Sequence, residues 1–158
     1  MLPIKPRPRD RYGRPLPSGS PDELDPRRLA AVRGGIDLDA TLGVGAALFD
    51  DHRFFEAHEV FEALWKSPRI PGSDRAFWKG VTQVAVGLCH CQRGNYRGAV
   101  ALLDRAARHL AGYPPTHCGV DTERLVALAR SAARSLATAG APPALATVGF
   151  PRAAHRSS

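Results

Sequence analysis

The sequence has few cysteines and no long apolar run, and both shortages narrow the classes of protein that it can encode. Its three cysteines are Cys89, Cys91 and Cys118, and an odd number of thiols favours a reducing, cytoplasmic location over a disulfide-bonded one. The longest apolar run, 81–91, contains a glycine and a histidine and is much shorter than the roughly 20 residues of a membrane span. The first residues lack the apolar core of a signal peptide. We therefore expect a cytoplasmic protein without a membrane segment.

Segments with the alternating polar and apolar pattern of a strand are also missing, and apolar residues recur instead with helical spacing. For 158 residues, one domain with its own hydrophobic core is the default expectation. The predicted helices are Leu38–Asp50, Arg53–Lys66, Asp74–Arg93, Tyr96–Gly112 and Thr122–Ala139. The pattern predicts an all-α fold, a compact bundle of about five helices.

Residues that favour helix ends support these boundaries. Ser73, Asn95 and Asp121 are predicted N-caps, because a short polar side chain can accept a hydrogen bond from a free N–H group of the first turn. Gly94 is predicted to end the third helix, since glycine readily adopts the left-handed conformation that closes many helices.

Proline and arginine dominate the N-terminal part of the chain, which can bury little apolar surface. Its RYGRPLPSG stretch is expected to lie across the helical domain with Tyr12 and Leu16 as anchors, and a short helix is expected over Arg27–Val32. The C-terminal residues are rich in glycine, proline and alanine and are expected to be loose. The predicted divisions are a flexible extension over 1–36, a helical domain over 37–139 and a flexible tail over 140–158.

A weak internal repeat relates two helical hairpins. When the chain is shifted by 42 residues, Ala57 falls on Ala99 and Phe61 falls on Leu103. The repeat predicts two stacked hairpins, with the last helix closing the open side of the bundle.

The second helix carries polar residues in an apolar setting. On a helical wheel, Phe54, His58, Phe61 and Trp65 lie within about 60° of each other, so His58 is expected to face the core. Glu62 follows one turn later, within reach of the His58 ring. A polar group on an apolar face costs stability unless it has a partner, so we expect these two side chains to interact.

The third helix is apolar over most of its circumference, which predicts a central position in the bundle. Gln83 and His90 share one stripe of this helix and could meet His58 and Glu62. The favoured interpretation is a buried His/Glu/Gln cluster that fixes the packing of the two helices. The protein would then be a binding or interaction module.

The combination of FFEAHEVFEALW, GVTQVAVGLCHCQRGN and a later GVD resembles the family known as domain of unknown function 309, over about residues 40–130. The GRPLPSG stretch is similar to the N-terminal extension of actinobacterial members. The resemblance implies a small all-α domain and no particular activity. The positions that carry the family pattern are His58, Glu59, Glu62, Trp65, Gln83, His90, Gly94 and Asn95.

A divalent metal site is one alternative for the polar residues of the second helix. The HEVFE stretch differs from the zinc-binding HExxH motif by a glutamate in place of the second histidine. His58 and Glu62 would be ligands, His90 a third ligand, and Glu59 a general base. One histidine with carboxylates also suits iron or manganese, so this alternative is a metal-assisted, hydrolase-like enzyme.

Metal-free acid–base chemistry is a second alternative for the same residues. A histidine beside a glutamate in a partly apolar pocket can donate or accept a proton near neutral pH. Trp65 and Trp78 would form the walls of such a pocket. The sequence has no nucleophile motif or phosphate-binding loop that would indicate a substrate.

The remaining cysteines and histidines give no clear metal motif. On a helix, Cys89 and Cys91 point about 200° apart and cannot hold one ion together, and Cys89 is expected to be a small core residue. The HC pair at 117–118 is rejected as a zinc motif with them. The other histidines, His52, His109 and His117, are expected at loops or helix edges.

The net charge of +7 and the pI of about 10.0 would suit an anionic partner. Nucleic acid binding is therefore kept as an alternative, although few aromatic residues are interleaved with the arginines of the N-terminal extension. A protein partner or a homodimer is the other possibility. An apolar patch that includes Phe55, Lys79 and Val86 would serve such an interface.

Overall fold

The structure is a computed structural model that describes residues 7–24, 27–28, 37–139, 145 and 148–153. In these ranges it confirms the predicted all-α fold, with five helices of two turns or more and one very small sheet. The helices are α1 (Leu38–Asp50), α2 (Phe54–Lys66), α3 (Gly72–Gln92), α4 (Tyr96–Leu110) and α5 (Thr122–Ala139). Their bounds lie within two residues of the predicted ones.

Side-chain caps fix the beginnings of several helices. The Asp37 carboxylate accepts from the Ala40 N–H at 2.7 Å, and Asn95 accepts from the Gly98 N–H at 3.1 Å. Asp121 likewise accepts from the Arg124 N–H at 3.1 Å. Such caps satisfy N–H groups that have no partner within the helix.

The predicted cap at Ser73 is wrong. Helix α3 starts earlier, with Pro71 at the N-cap position and no side-chain cap. The fixed φ of proline suits the entry into a helix, so Ser73 lies inside the first turn and cannot cap it.

Helix α3 is central, as expected, because it packs against both α2 and α4. Its fully buried residues include Phe77, Trp78 and Leu88. Helix α1 packs on α2 and helix α5 packs on α4. Each helix thus contacts its neighbour in sequence, which is the arrangement of stacked hairpins.

The two hairpin turns adopt matching backbone conformations. His52 has φ of 59° and Gly94, 42 residues later, has φ of 78°. The Gln92 side chain donates to the His52 carbonyl at 2.8 Å and links the two turns. A left-handed conformation is costly for a residue with a side chain, so its occurrence at both positions marks a shared turn geometry.

A short antiparallel hairpin, which no sequence pattern predicted, precedes α5. Its strands are β1 (Thr116–His117) and β2 (Val120–Asp121). The two residues between them, Cys118 and Gly119, both have positive φ, at 49° and 78°. Positive φ at both central positions is typical of the tight turns that match strand twist.

Residues 7–24 lie against the helices, and we call this segment the strap. Gly13 is buried with φ of 78°, and a Cβ there would collide with the Phe55 ring. The Tyr12 carbonyl accepts from Arg93 Nε at 2.7 Å and from the Cys89 thiol at 3.4 Å. The strap therefore contacts α2 and α3 through its backbone at 12–13, whereas the prediction named side-chain anchors.

The C-terminal residues 148–153 also contact the helical part of the molecule. Phe150 is 7% exposed and packs on Phe49 and Phe61, with ring centroids 5.3 and 5.2 Å apart. Its N–H donates to the Asp50 carboxylate at 2.6 Å. Residues 25–26 and 29–36, which include most of the helix expected over Arg27–Val32, lie outside the described residues, as do 1–6, 140–144, 146–147 and 154–158.

In the part of the chain that the structure describes, no helix combines the length and apolarity that a bilayer crossing requires.

Candidate functional site

A groove of about 800 Å³ opens along α2, and we call it the α2 groove. Its volume is in the range of small-molecule sites. The groove is lined by Leu38 and Thr41 of α1, by Arg9 of the strap and by one face of α2. The residues from α2 and the following loop that matter below are Phe55, His58, Glu59, Glu62, Leu64, Lys66, Arg69 and Ile70.

His58 lies in the wall of this groove, with 21% of its side chain exposed. Its Nδ1 is 2.5 Å from the Phe55 carbonyl oxygen, which can only accept, so Nδ1 carries the hydrogen. Nε2 is the nitrogen left for other partners, and it lies 3.6 Å from Glu62 Oε2. The expected pair with Glu62 is present, and it forms in the groove wall.

The expected core position of His58 is wrong. Helix α2 turns Ala57, Val60 and Phe61 inward, each with no exposed surface. Of the predicted stripe, Phe54 and Phe61 are fully buried, whereas His58 and Trp65 are only partly buried. The inward face is therefore rotated away from His58. A single-helix wheel gives the width of an apolar face but cannot choose between two overlapping faces.

Both groove carboxylates are paired with cations. Glu59 accepts from Arg28 at 2.6 Å, and Glu62 accepts from Lys66 at 2.6 Å. Arg69 is exposed, and within the described ranges its guanidinium has neither a hydrogen bond nor an ion pair. The groove therefore has an excess of positive charge.

The groove also has an apolar surface. Leu38 is 41% exposed, whereas Leu64 and Ile70 are nearly buried and present only their edges. Phe55 is partly buried and carries Arg9 over its ring at 5.8 Å. Apolar area beside excess positive charge fits a ligand with an apolar body and an anionic head.

His90 and Gln83 do not line the α2 groove. His90 lies beside Asn95, whose Nδ2 is 3.1 Å from its Nδ1. Burial lowers the pKa of His90, and the nearby Arg93 acts in the same direction. Among the described residues, His58, Glu62 and His90 do not form a set of ligand atoms within 4.8 Å of one another. Joint metal ligation by these three stays a prediction that this arrangement does not support.

Neither Trp65 nor Trp78 lines the α2 groove. Trp78 has no exposed surface and packs edge-on against Phe77 at 5.1 Å. Trp65 is partly buried, and Lys66 and Lys79 lie over its ring at 5.4 and 5.9 Å. Cation–π contacts of this kind hold the lysine side chains against α2.

Glu56 is a buried polar residue that the sequence analysis missed. It has no exposed surface and accepts from Arg53 Nε at 2.6 Å. An arginine three residues before a glutamate at a helix start was a signal for this pair. The pair stabilises the first turn of α2, and it does not line the groove.

A second cluster joins the β1–β2 hairpin to the first turn of α3. His117 Nε2 is 2.9 Å from Asp74 Oδ1, and the Cys118 thiol donates to the Asp74 carboxylate. Burial raises the pKa of the Cys118 thiol to about 11, and the Asp74 carboxylate acts in the same direction. One ligand atom from each of the three residues lies within 4.8 Å of the other two.

The pair at 117–118 was not predicted as a metal site, because Cys89 and Cys91 were the only partners weighed for it. Cys89 and Cys91 are both buried in α3, and burial raises the pKa of each thiol, that of Cys91 to about 11. They behave as small apolar residues. Asp74 was not considered, because the hairpin that turns residues 117–118 toward it was not predicted.

Comparison with known proteins gives a family without a described activity. Residues 42–102 match the model of the family Domain of unknown function (DUF309). The uncharacterized protein YpuF of Bacillus subtilis (strain 168) is 33% identical over 90 residues, which is 56% of this chain and 51% of that protein. The chain thus spans about half the length of this curated relative, and no solved structure matches it.

The family match extends from the middle of α1 to the middle of α4 and includes α2 and α3 completely. It contains His58, Glu59 and Glu62 of the α2 groove, whereas the hairpin residues 117–118 lie beyond it. The resemblance recognised from the AHEVFEALW and QVAVGLCHCQRGN motifs is therefore confirmed: residues 42–102 are similar to the DUF309 family.

Proposed function

We propose that the protein is a binding module whose α2 groove takes an amphipathic anion, a small molecule with an apolar body and a carboxylate or phosphate head. The observation that carries the proposal is Arg69, which is exposed beside the apolar surface of a groove of about 800 Å³. Its guanidinium has no ion pair with any residue that the structure describes. Arg9, whose guanidinium lies over the Phe55 ring at 5.8 Å, gives the groove a second positive charge for the ligand head. The proposal agrees with the excess of positive charge over the whole chain.

Charge complementarity supports an anion rather than a cation. The carboxylates of Glu59 and Glu62 are neutralised by Arg28 and Lys66, so they offer little attraction to a cationic ligand. Among the described residues, no carboxylate forms an ion pair with Arg69 or Arg9, so both leave positive charge in the groove. A planar guanidinium binds carboxylate and phosphate oxygens through two parallel hydrogen bonds.

We also propose that the protein works in the cytoplasm. Cys89, Cys91 and Cys118 are all unpaired thiols, and free thiols persist in a reducing compartment. Labelling of the native protein in cell extracts with a thiol reagent, before and after reduction, tests this location.

Calorimetric titration with octanoate and with octylammonium tests the groove ligand, because the two probes share a chain length and differ in the sign of the head. We expect octanoate to bind and octylammonium to bind at least tenfold more weakly. Arg69→Gln should weaken octanoate binding about tenfold, since a hydrogen bond to a charged group contributes about 1.5–3 kcal/mol.

Arg130→Gln is the matched control. Arg130 lies in another cavity, of about 500 Å³, between the end of α4 and the start of α5, together with Val126 and Arg134. It is also an exposed arginine beside apolar surface. If octanoate bound nonspecifically to such surfaces, Arg130→Gln would weaken its binding as well. Equal binding of the two probes, or a loss caused by Arg130→Gln and not by Arg69→Gln, would contradict the proposal.

A further inference from the structure

Three different metal-ligand types converge at the hairpin before α5. His117 Nε2, the Cys118 thiol sulfur and an Asp74 carboxylate oxygen lie within 4.8 Å of one another. They come from two elements 43 positions apart in sequence, so no local motif brings them together. The cluster shares no residue with the α2 groove. Its two hairpin residues lie beyond the part of the chain that matches the family, whereas Asp74 lies within it.

The donor set is appropriate for a dication of the zinc class. Zinc binds sulfur at about 2.3 Å and nitrogen or oxygen at about 2.0–2.2 Å, so tetrahedral ligand atoms lie about 3.3–3.7 Å apart. The distances in the cluster, 2.9 Å between His117 and Asp74 and at most 4.8 Å otherwise, need only small side-chain adjustments. One thiolate, one carboxylate and one neutral imidazole together neutralise two positive charges.

The surrounding structure holds these side chains in place. The His117 ring packs edge-on against Phe77 at 4.8 Å and lies 5.3 Å from the Tyr113 ring. Cys118 is held at φ of 49° by the tight turn of the hairpin, and Asp74 is fixed in the first turn of α3. Ligands on short-range, well-packed elements keep their geometry when an ion arrives.

We propose that Asp74, His117 and Cys118 bind one transition-metal ion of the zinc class. Each supplies one ligand, His117 through Nε2 with its proton on Nδ1, and the Cys118 thiol releases its proton to solvent on binding. A thiolate and an imidazole select such an ion over magnesium or calcium. Three protein ligands leave a fourth position for water or a substrate atom, the arrangement of zinc sites that bind or activate a ligand.

Partial exposure of the cluster supports an open fourth position. The His117 and Asp74 side chains are 25% and 21% exposed, and Cys118 is partly buried. The ion would therefore be reachable from solvent. It would also tie the β1–β2 hairpin to α3 and stabilise the folded state by mass action.

Cobalt(II) titration of the full chain, purified without a histidine tag, tests the site, because a cobalt–thiolate bond gives a charge-transfer absorption in the near ultraviolet. We expect one equivalent of cobalt to produce this band and one equivalent of zinc to remove it. Cys118→Ser should abolish the band, whereas the control Cys91→Ala should keep it. Competition with a chromogenic chelator should show zinc binding at least about tenfold weaker in Asp74→Asn.

Circular dichroism of each variant checks that it is folded. No band in the folded wild-type protein would overturn the proposal, as would a band that persists in Cys118→Ser. Zinc affinity unchanged in both Asp74→Asn and His117→Gln would also overturn it, because it would place the ion elsewhere. None of these results depends on octanoate binding, so this proposal and the groove proposal fail or succeed separately.

Discussion

Glu56 is a carboxylate without exposed surface in the first turn of α2. Two features offset the cost of burying its charge: the Arg53 guanidinium at 2.6 Å and the positive end of the helix dipole. The pair also fixes the turn between α1 and α2, because the Arg53 guanidinium also donates to the Glu23 carbonyl of the strap at 2.7 Å. Glu56 therefore couples the start of α2 to the segment that crosses it.

We expect Glu56→Ala to lower the free energy of unfolding by about 3 kcal/mol, because it breaks a hydrogen-bonded ion pair whose carboxylate is fully buried. Urea denaturation followed by circular dichroism measures this change. Asp104→Ala, which removes an exposed carboxylate of α4, should change the free energy by less than about 0.5 kcal/mol. Similar losses in the two variants would show that the buried pair does not stabilise α2.

His90 makes the folded protein sensitive to acid. Burial and the Arg93 charge hold the pKa of His90 below its ordinary value of 6.5. As the pH falls below 6.5, the unfolded chain takes up a proton that the folded chain does not, so stability decreases. We expect His90→Gln to reduce the slope of unfolding free energy against pH between about pH 6.5 and 5. Parallel pH profiles of the two proteins, from thermal denaturation at several pH values, would contradict this account.

At the residue scale, the sequence indicated which polar residues of α2 and α3 lie in apolar surroundings. It did not predict which way their side chains point. Asn95 and Gly94 have the capping roles that were predicted, because capping depends on a few neighbouring backbone atoms. His58 and Glu56 were misjudged, because their burial depends on which face of α2 meets α1 and α3. That choice is made by tertiary packing, which a single-helix wheel does not contain.

The strap illustrates how an element without regular structure is held. The backbone at Tyr12 accepts two hydrogen bonds from α3, and Gly13 lies so close to Phe55 that no side chain fits between them. Within the strap, the Asp10 carboxylate accepts from the Tyr12 and Arg14 N–H groups at 2.9 and 2.8 Å. Burial opposes its charge, but these hydrogen bonds and the Arg14 side chain lower the pKa of Asp10 overall.

We expect Gly13→Ala to detach the strap from α2, since its methyl group would overlap the Phe55 ring. Limited trypsin digestion measures this change, because the bonds after Arg9 and Arg11 would be cleaved faster. Gly19→Ala is the matched control: Gly19 also has a positive φ, of 89°, but a Cβ there meets nothing within 4 Å. If both variants are cleaved at the same rate, backbone conformation alone would explain the effect, and contact with Phe55 would not be needed.

At the element scale, the five helices were predictable because each has its own apolar periodicity and its own end signals. The β1–β2 hairpin was not, since strands of two residues leave no periodic pattern and Cys118 is an unusual residue at a positive φ. The same omission concealed the Asp74 cluster. The boundaries of the helical domain at 37 and 139 stay a prediction, and the contacts of the strap and of Phe150 cross both of them.

Across the whole molecule, the sequence order of the helices determines which of them touch, since each helix packs on its neighbours along the chain. This is why the repeat and the helix pattern were sufficient for the architecture. The groove was not predictable, because it needs Leu38 of α1, Arg69 of a loop and Arg9 of the strap in one place. No periodic pattern links these three positions.

The account rests on the α2 groove as the binding site for an amphipathic anion, and mapping the site by NMR tests it most directly. Titration of uniformly ¹⁵N-labelled protein with octanoate should shift the amide signals of 58–70 and the side-chain Nε signal of Arg69. Signals of 122–134, beside the cavity of Arg130 and Val126, should stay in place. Shifts confined to 122–134, or spread evenly over both regions, would contradict the central claim.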